Sequence, residues 1–160
     1  MIITDRDFLK SKVSELKTKG NKIVFTNGCF DIIHHGHIKY LQSAKRLGDI
    51  LIIGVNTDES IRRIKGETRP IIDLEYRMSV LDELSSVDIV VPFYEDTPLE
   101  LIKIILPDFL VKGGDWEIKD IVGSDIVIKN GGTVKSLDFI KGISTTEIIE
   151  KIKKRYCHEF

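Results

Sequence analysis

The run Ile50-Leu51-Ile52-Ile53-Gly54-Val55 constrains the fold more than any other stretch of the chain. It is apolar throughout, without the alternation of a half-solvated strand. A strand of that kind is covered on both faces, which points to a parallel sheet with helices above and below. The surrounding sequence agrees. Further strand signals at 23–26, 88–92, 109–111 and 133–137 alternate with segments of helical character. Thr4 or Asp5 caps a first helix running to about Lys19, with Gly20 just past its end. Asp58 is read as the cap of a short helix through Arg63, and Asp73 as the cap of a helix over 74–84. Thr97-Pro98 reads as an N-cap with proline in the first helical position, opening a helix to 106, and Pro92 reads as the end of its strand. Helices are also expected over 35–47, closed by Gly48, and in parts of 117–130, stopped by Gly131-Gly132. A final one is expected over 144–155. Strands alternating with helices imply right-handed βαβ units. The expected fold is α/β, a Rossmann-like doubly wound parallel sheet of about five strands with helices on both faces.

One domain is expected over 1–160, with 1–20 as an N-terminal helical extension and 144–155 as the closing helix. The formal net charge of -1 offers no global attraction to nucleic acid or to an anionic membrane. No apolar run approaches the roughly 20 residues of a membrane span, and the N-terminus lacks a signal-type apolar core. Neither nucleic acid nor a membrane is therefore an expected partner. Cys29 and Cys157 are the two cysteines, too few and too far apart for a disulfide framework, so a cytoplasmic setting is expected. The segment 65–70 and the tail after Tyr156 read as the softest regions.

In an open α/β sheet, ligands bind beyond the carboxyl ends of the strands. The segments 28–37, Asn56-Thr57-Asp58 and Gly113-Gly114-Asp115 all follow strands and should share one rim. In the first, a glycine turn leads into His34-His35-Gly36-His37 where a strand hands over to a helix. Free backbone N–H groups and the positive end of the helix dipole favour phosphate there. His34 and His37 stand i, i+3 on one face. A metal pair is one reading, although no third ligand at metal spacing is visible. Two packed or surface histidines are another. A phosphate site explains more, because imidazoles hydrogen-bond phosphoryl oxygens and positive groups stabilise phosphoryl-transfer charge. Gly36 would let a phosphate or base approach the backbone. The chain has no P-loop and no G-x-G-x-x-G after its first strand. Gly142-Ile143-Ser144-Thr145-Thr146 supplies a second phosphate candidate: a glycine turn, then Ser144 and Thr145 capping a helix.

These elements together carry a resemblance. H-x-G-H with I-S-T-T resembles the nucleotidyltransferase superfamily, which includes cytidylyltransferases and class I aminoacyl-tRNA synthetases. Val24-Phe25-Thr26-Asn27-Gly28-Cys29-Phe30-Asp31, Gly54-Val55-Asn56-Thr57-Asp58, Arg69-Pro70-Ile71, Glu95-Asp96-Thr97-Pro98-Leu99-Glu100-Leu101-Ile102 and Leu110-Val111-Lys112-Gly113-Gly114-Asp115-Trp116 look like the adenylyltransferase domain of ADP-heptose synthase. The likeness spans about 22–152 and includes no sugar-kinase half, so it implies the stand-alone form. Glycerol-3-phosphate cytidylyltransferase is a competing resemblance, but it carries an arginine before I-S-T-T that this chain lacks; Lys141 is the nearest cation. Archaeal FAD synthetases are a more distant one. A nucleotide-binding module without turnover is the alternative of another class.

The resemblance implies transfer of AMP from ATP to D-glycero-D-manno-heptose 1-phosphate, giving ADP-heptose and pyrophosphate for lipopolysaccharide core or surface glycans. It implies Mg²⁺ carried by ATP with no dedicated metal site, and a homodimer, served by the first helix or the surface near Tyr94. His34, His37 and Lys65 are the expected catalytic group. The nucleotide is assigned to Thr26, Asn27, Gly28, Cys29, Phe30, His34, His37, Gly113, Asp115, Gly142, Ser144, Thr145 and Thr146. The acceptor is assigned to Asp31, Asn56, Lys65, Arg77 and Trp116. Arg77 has a second reading, an ion pair with Asp73 on its own helix. Trp116 reads equally as packing, and Asp115 as a helix cap.

Overall fold

The computed structural model describes residues 1–138 and 142–157. Five strands form one all-parallel sheet: β1 (Ile23–Gly28), β2 (Ile50–Asn56), β3 (Ile89–Phe93), β4 (Phe109–Gly113) and β5 (Thr133–Leu137). Their order is β3-β2-β1-β4-β5, so the chain winds outward one way from β1 and then returns to wind the other way. The switch of direction falls between β1 and β4.

The helices are α1 (Arg6–Thr18), α2 (His35–Lys45), α3 (Asp58–Lys65), α4 (Leu74–Asp82), α5 (Leu99–Ile105), α6 (Ser124–Lys129) and α7 (Thr145–Tyr156), with a 3₁₀ turn at Ile118–Asp120. Strand side chains alternate between two apolar layers. Ile23, Phe25, Ile52, Val91 and Leu110 pack with Leu9 and Val13 of α1, Leu101, Ile102 and Ile105 of α5, and Val127 of α6. Val24, Leu51, Ile53, Val90 and Val111 pack with Tyr40, Leu41 and Ala44 of α2 and with Leu81 of α4. The apolar run Ile50-Leu51-Ile52-Ile53-Gly54-Val55 thus becomes β2, next to the central strand, covered on both sides.

Several boundaries differ from the sequence expectation, each for a local reason. Residues 1–3 are extended rather than helical. The Ile3 N–H donates to the Val90 carbonyl and the Val90 N–H to the Met1 carbonyl, which covers the outer edge of β3. The helix behind them starts where Asp5 accepts a bond from the Phe8 N–H. β3 runs through Pro92 to Phe93, because Pro92 stands near the end of that outer strand, past the covered stretch, and its missing N–H breaks no ladder. Thr57, not Asp58, caps α3, accepting from the Ser60 N–H, and α3 continues through Lys65. Asp73 stands at the start of α4 but makes no capping bond, and Pro98 itself is the cap position of α5.

Candidate functional site

A cavity of about 490 Å³ opens at the carboxyl ends of the strands, across the β1–β4 switch. That is an ordinary volume and place for a small-molecule site in such a sheet.

One wall is the segment after β1. Phe30 and Ile32 there have φ of 48° and 51°, in the left-handed region that a β-branched residue avoids. Asp31 between them fastens the loop. Its carboxylate is 1% exposed and accepts from Arg69 Nε at 2.6 Å and from the Ile71 and Ile72 N–H groups, both at 2.9 Å. Burial acts to raise its pKa, but these three donors together outweigh it and hold the carboxyl below the usual range. The sequence reading assigns Asp31 to a substrate hydroxyl; its carboxylate is instead engaged by its own chain.

Arg77 requires the same correction. It is 1% exposed and off the cavity wall. Its guanidinium donates to the carbonyls of Ile72 (2.9 Å), Cys29 (2.5 Å) and Asn56 (2.9 Å) and to Asp58 (2.7 Å), not to Asp73. It ties the β1 loop, the end of β2 and the start of α3 into one rim, with its guanidinium engaged by these four acceptors. Thr26 is fully buried, its hydroxyl 2.6 Å from that of Tyr40, and it too serves the scaffold. Burial pushes the Tyr40 phenol up to about 12, so it stays neutral. Asn56, 4% exposed, reaches the cavity edge while its amide donates to Ser60 Oγ at 3.0 Å.

The two histidines open α2. His34 is the cap position, and its N–H donates to His37 Nδ1 at 3.4 Å. That bond makes Nδ1 of His37 the acceptor, so the neutral ring carries its proton on Nε2. The rings stack with centroids 3.9 Å apart and an interplanar angle of 25°. Burial, reinforced by His34, lowers the His37 pKa to about 4, and burial lowers that of His34 as well. The pair is therefore neutral at pH 7. His37 lines the cavity; His34 lies beside it, its buried Nδ1 without a hydrogen-bond partner among the described residues. Gly36 also leaves room for its neighbours: a Cβ there would crowd the His34 ring at 3.0 Å and Ile143 at 3.3 Å. The histidine packs back over its own helix start.

The second phosphate candidate docks onto this wall. Gly142 has φ +85°, the left-handed turn that favours glycine. Ser144 Oγ accepts from the Glu147 N–H at 3.1 Å and caps α7. The Thr145 hydroxyl donates to the Asp31 carbonyl at 2.7 Å, which brings Thr145 to the cavity, while Thr146 is exposed. Lys141 lies outside the described residues.

A second wall comes from β4 and α3. Lys112, Gly113 and Trp116 line it, as does Lys65 from the last turn of α3. Trp116 is 48% exposed, its indole N–H donating to the Gly113 carbonyl at 3.1 Å. Asp115 is exposed, off the wall, and caps no helix; Glu117 precedes the 3₁₀ turn instead. Asn27, Gly28, Cys29 and Phe30 complete the floor. Cys29 is a poor thiolate, its pKa raised by burial against the pull of nearby cations. Among the described residues, no group of three or more His, Cys, Asp or Glu side chains converges to hold a metal ion. The sequence reading assigned no role to Arg69, Tyr40 or Lys112. Arg69 and Lys112 do stand in the quoted motif runs, without a role of their own, and Lys112 is a charge near the carboxyl end of an otherwise apolar strand.

Comparison with known proteins places the chain in a family. A family model described as cytidylyltransferase-like matches residues 25–151. The chain belongs to this family of nucleotidyltransferases. It is 60% identical over 145 residues to bifunctional protein HldE of Haemophilus influenzae strain PittEE, covering 91% of this chain and 30% of that protein. It is 58% identical over 151 residues to bifunctional protein HldE of Actinobacillus pleuropneumoniae serotype 5b, covering 94% and 32%. The chain thus spans about a third of the length of these relatives. A crystal structure described as a lipopolysaccharide core biosynthesis protein from Thermoplasma volcanium superposes with TM-score 0.61 at 32% identity, covering 78% of this chain and all of that one. Pantothenate synthetase from Thermus thermophilus shares the fold, with TM-score 0.67 at 14% identity, covering 96% and 70%. No described helix is long and apolar enough to cross a membrane.

Proposed function

We propose that this nucleotidyltransferase moves AMP from ATP to D-glycero-D-manno-heptose 1-phosphate, releasing pyrophosphate and forming ADP-heptose. The observation that carries the reading is the pairing of two walls: a neutral His37 offering Nε2–H on one side, and two lysines without ion pairs among the described residues on the other. The 58–60% identity to HldE over more than nine-tenths of this chain supports adenylyl transfer and a heptose acceptor.

The chemistry asks little covalent work of the protein. An oxygen of the acceptor phosphate attacks the α-phosphorus, the bond from that phosphorus to the bridging oxygen breaks, and pyrophosphate leaves with the electron pair. The nucleophile is already anionic, so no general base is needed, and catalysis is positioning with charge stabilisation. In this reading His37 donates from Nε2 to a non-bridging α-oxygen, and His34 fixes the His37 ring. Backbone N–H groups of Cys29 and Phe30 and the start of α7 hold the remaining phosphates. Mg²⁺ arrives with ATP as part of the substrate.

The test is pyrophosphate release with ATP or CTP, each against heptose 1-phosphate and glycerol 3-phosphate. ATP with heptose 1-phosphate should exceed the other pairs by at least ~10²-fold in kcat/KM. Preference for CTP and glycerol 3-phosphate, or no turnover with any pair, would overturn the reading.

A further inference from the structure

Among the described residues, most partly buried cations face a carboxylate. Arg6 faces Glu95, Lys45 faces Asp88, Arg69 faces Asp31 and Arg77 faces Asp58. Lys112 differs. It is half-buried on the cavity wall, near the carboxyl end of β4, and makes no ion pair among the described residues. Burial lowers its pKa; the neighbouring Cys29 sulfur acts to raise it, and the charge of Lys65 lowers it in turn. A desolvated charge without a partner is costly. A fold that leaves one on a cavity wall leaves the pairing to whatever enters.

Lys65 stands on the same cavity and also makes no ion pair among the described residues. Two lysines match the charge of a phosphate monoester, whose second pKa near 6 leaves it close to a dianion at neutral pH. The α-phosphoryl group of a nucleoside triphosphate carries one charge, and it belongs beside the neutral His37. Trp116 adds a wall: its indole is pinned by the Gly113 carbonyl, and the Lys112 ammonium lies 6.0 Å from the ring centroid.

We propose that Lys112, with Lys65, binds the phosphate monoester of the acceptor and sets the enzyme's preference for a monophosphorylated sugar, with Trp116 flanking the rest of that molecule. This rests on the reading of the site as a transferase to a sugar 1-phosphate. The two substrates then meet across the cavity, triphosphate against the histidine wall and nucleophile against the lysine wall.

Trp116 is the only tryptophan in the sequence, so its fluorescence reports occupancy of this wall directly. The experiment titrates wild type, Lys112→Gln and Lys112→Arg with heptose 1-phosphate, inorganic phosphate and a non-hydrolysable ATP analogue. Lys112→Gln should weaken heptose 1-phosphate and inorganic phosphate by ~10-fold or more, the scale of one charged hydrogen bond, and the ATP analogue by no more than ~2-fold. Lys112→Arg should recover most of the loss. In steady state, KM for the acceptor should rise by a similar factor while kcat changes less. Equal loss for the ATP analogue, or no loss for either phosphate, would overturn the proposal. Circular dichroism of Lys112→Gln should match wild type, because the variant removes an unpaired charge. If heptose 1-phosphate is not the acceptor, wild type will not turn it over. The inorganic phosphate titration still reads Lys112 in that case.

Discussion

The two walls of the cavity are built on opposite terms. On the β1–α2 side the donors and acceptors are largely committed: Asp31 to three donors, Arg77 to four acceptors, His37 Nδ1 to the His34 N–H. On the β4–α3 side, Lys65 and Lys112 make no ion pair among the described residues. On the proposed reading, the first wall is assembled before substrate arrives and the second is completed by it. Preorganised dipoles act where charge develops in the transition state, whereas unpaired charges act in recognition.

The contrast predicts which kinetic constant each wall controls. His37→Ala should lower kcat by ~10²- to 10³-fold at saturating ATP, Mg²⁺ and acceptor. A variant that keeps kcat and changes only KM would move His37 to the recognition side. Arg77→Ala should cost about 3 kcal/mol of folding stability in urea titration, since it strands Asp58 and three carbonyls. Arg77→Lys should not restore it, because an ammonium cannot span four acceptors in a plane. A loss under about 1 kcal/mol would show that the rim does not depend on this residue.

Acid should act through the committed wall. The His37 pKa lies near 4 in the folded chain, below the unfolded value near 6.5. Between those values the unfolded chain holds the extra proton, so stability is present above about pH 6.5 and is lost as pH falls toward about 4. Asp31, also depressed, adds a loss at lower pH still. Discounted for partial exposure, the His37 contribution is about 1–2 kcal/mol. Thermal melts at about pH 7.5 and 5 should show this in wild type and a flatter dependence in His37→Asn; parallel curves would deny the buried neutral ring. The smallest effect expected is that of Tyr40→Phe, about 1 kcal/mol from losing the bond to the buried Thr26 hydroxyl, read from the shift in denaturation midpoint.

The fold was legible in the sequence because its signals are local. Gly20 and Gly48 stand just past helices, and the unbroken run of β2 announces burial on both faces. Pro92 misled, because a proline ends a strand only where its N–H is needed. The site was half legible. H-x-G-H and I-S-T-T mark positions near one another in the fold, and the structure joins them through Thr145 and the Asp31 carbonyl. The roles of Asp31 and Arg77 were hidden, because their partners lie about 40 and up to 48 residues away in sequence and only the fold brings them close. Lys112 was hidden for the opposite reason. A lysine near a strand end reads as a solvated charge until its surroundings show that it has no partner.

Histidine ¹⁵N NMR of the free protein tests the two-wall account most directly. His37 should be neutral at pH 7, protonated on Nε2, with a pKa near 4 that rises when a non-hydrolysable ATP analogue is added. A His37 pKa near 6.5 that does not move with the analogue would contradict both the preassembled neutral wall and its contact with phosphate.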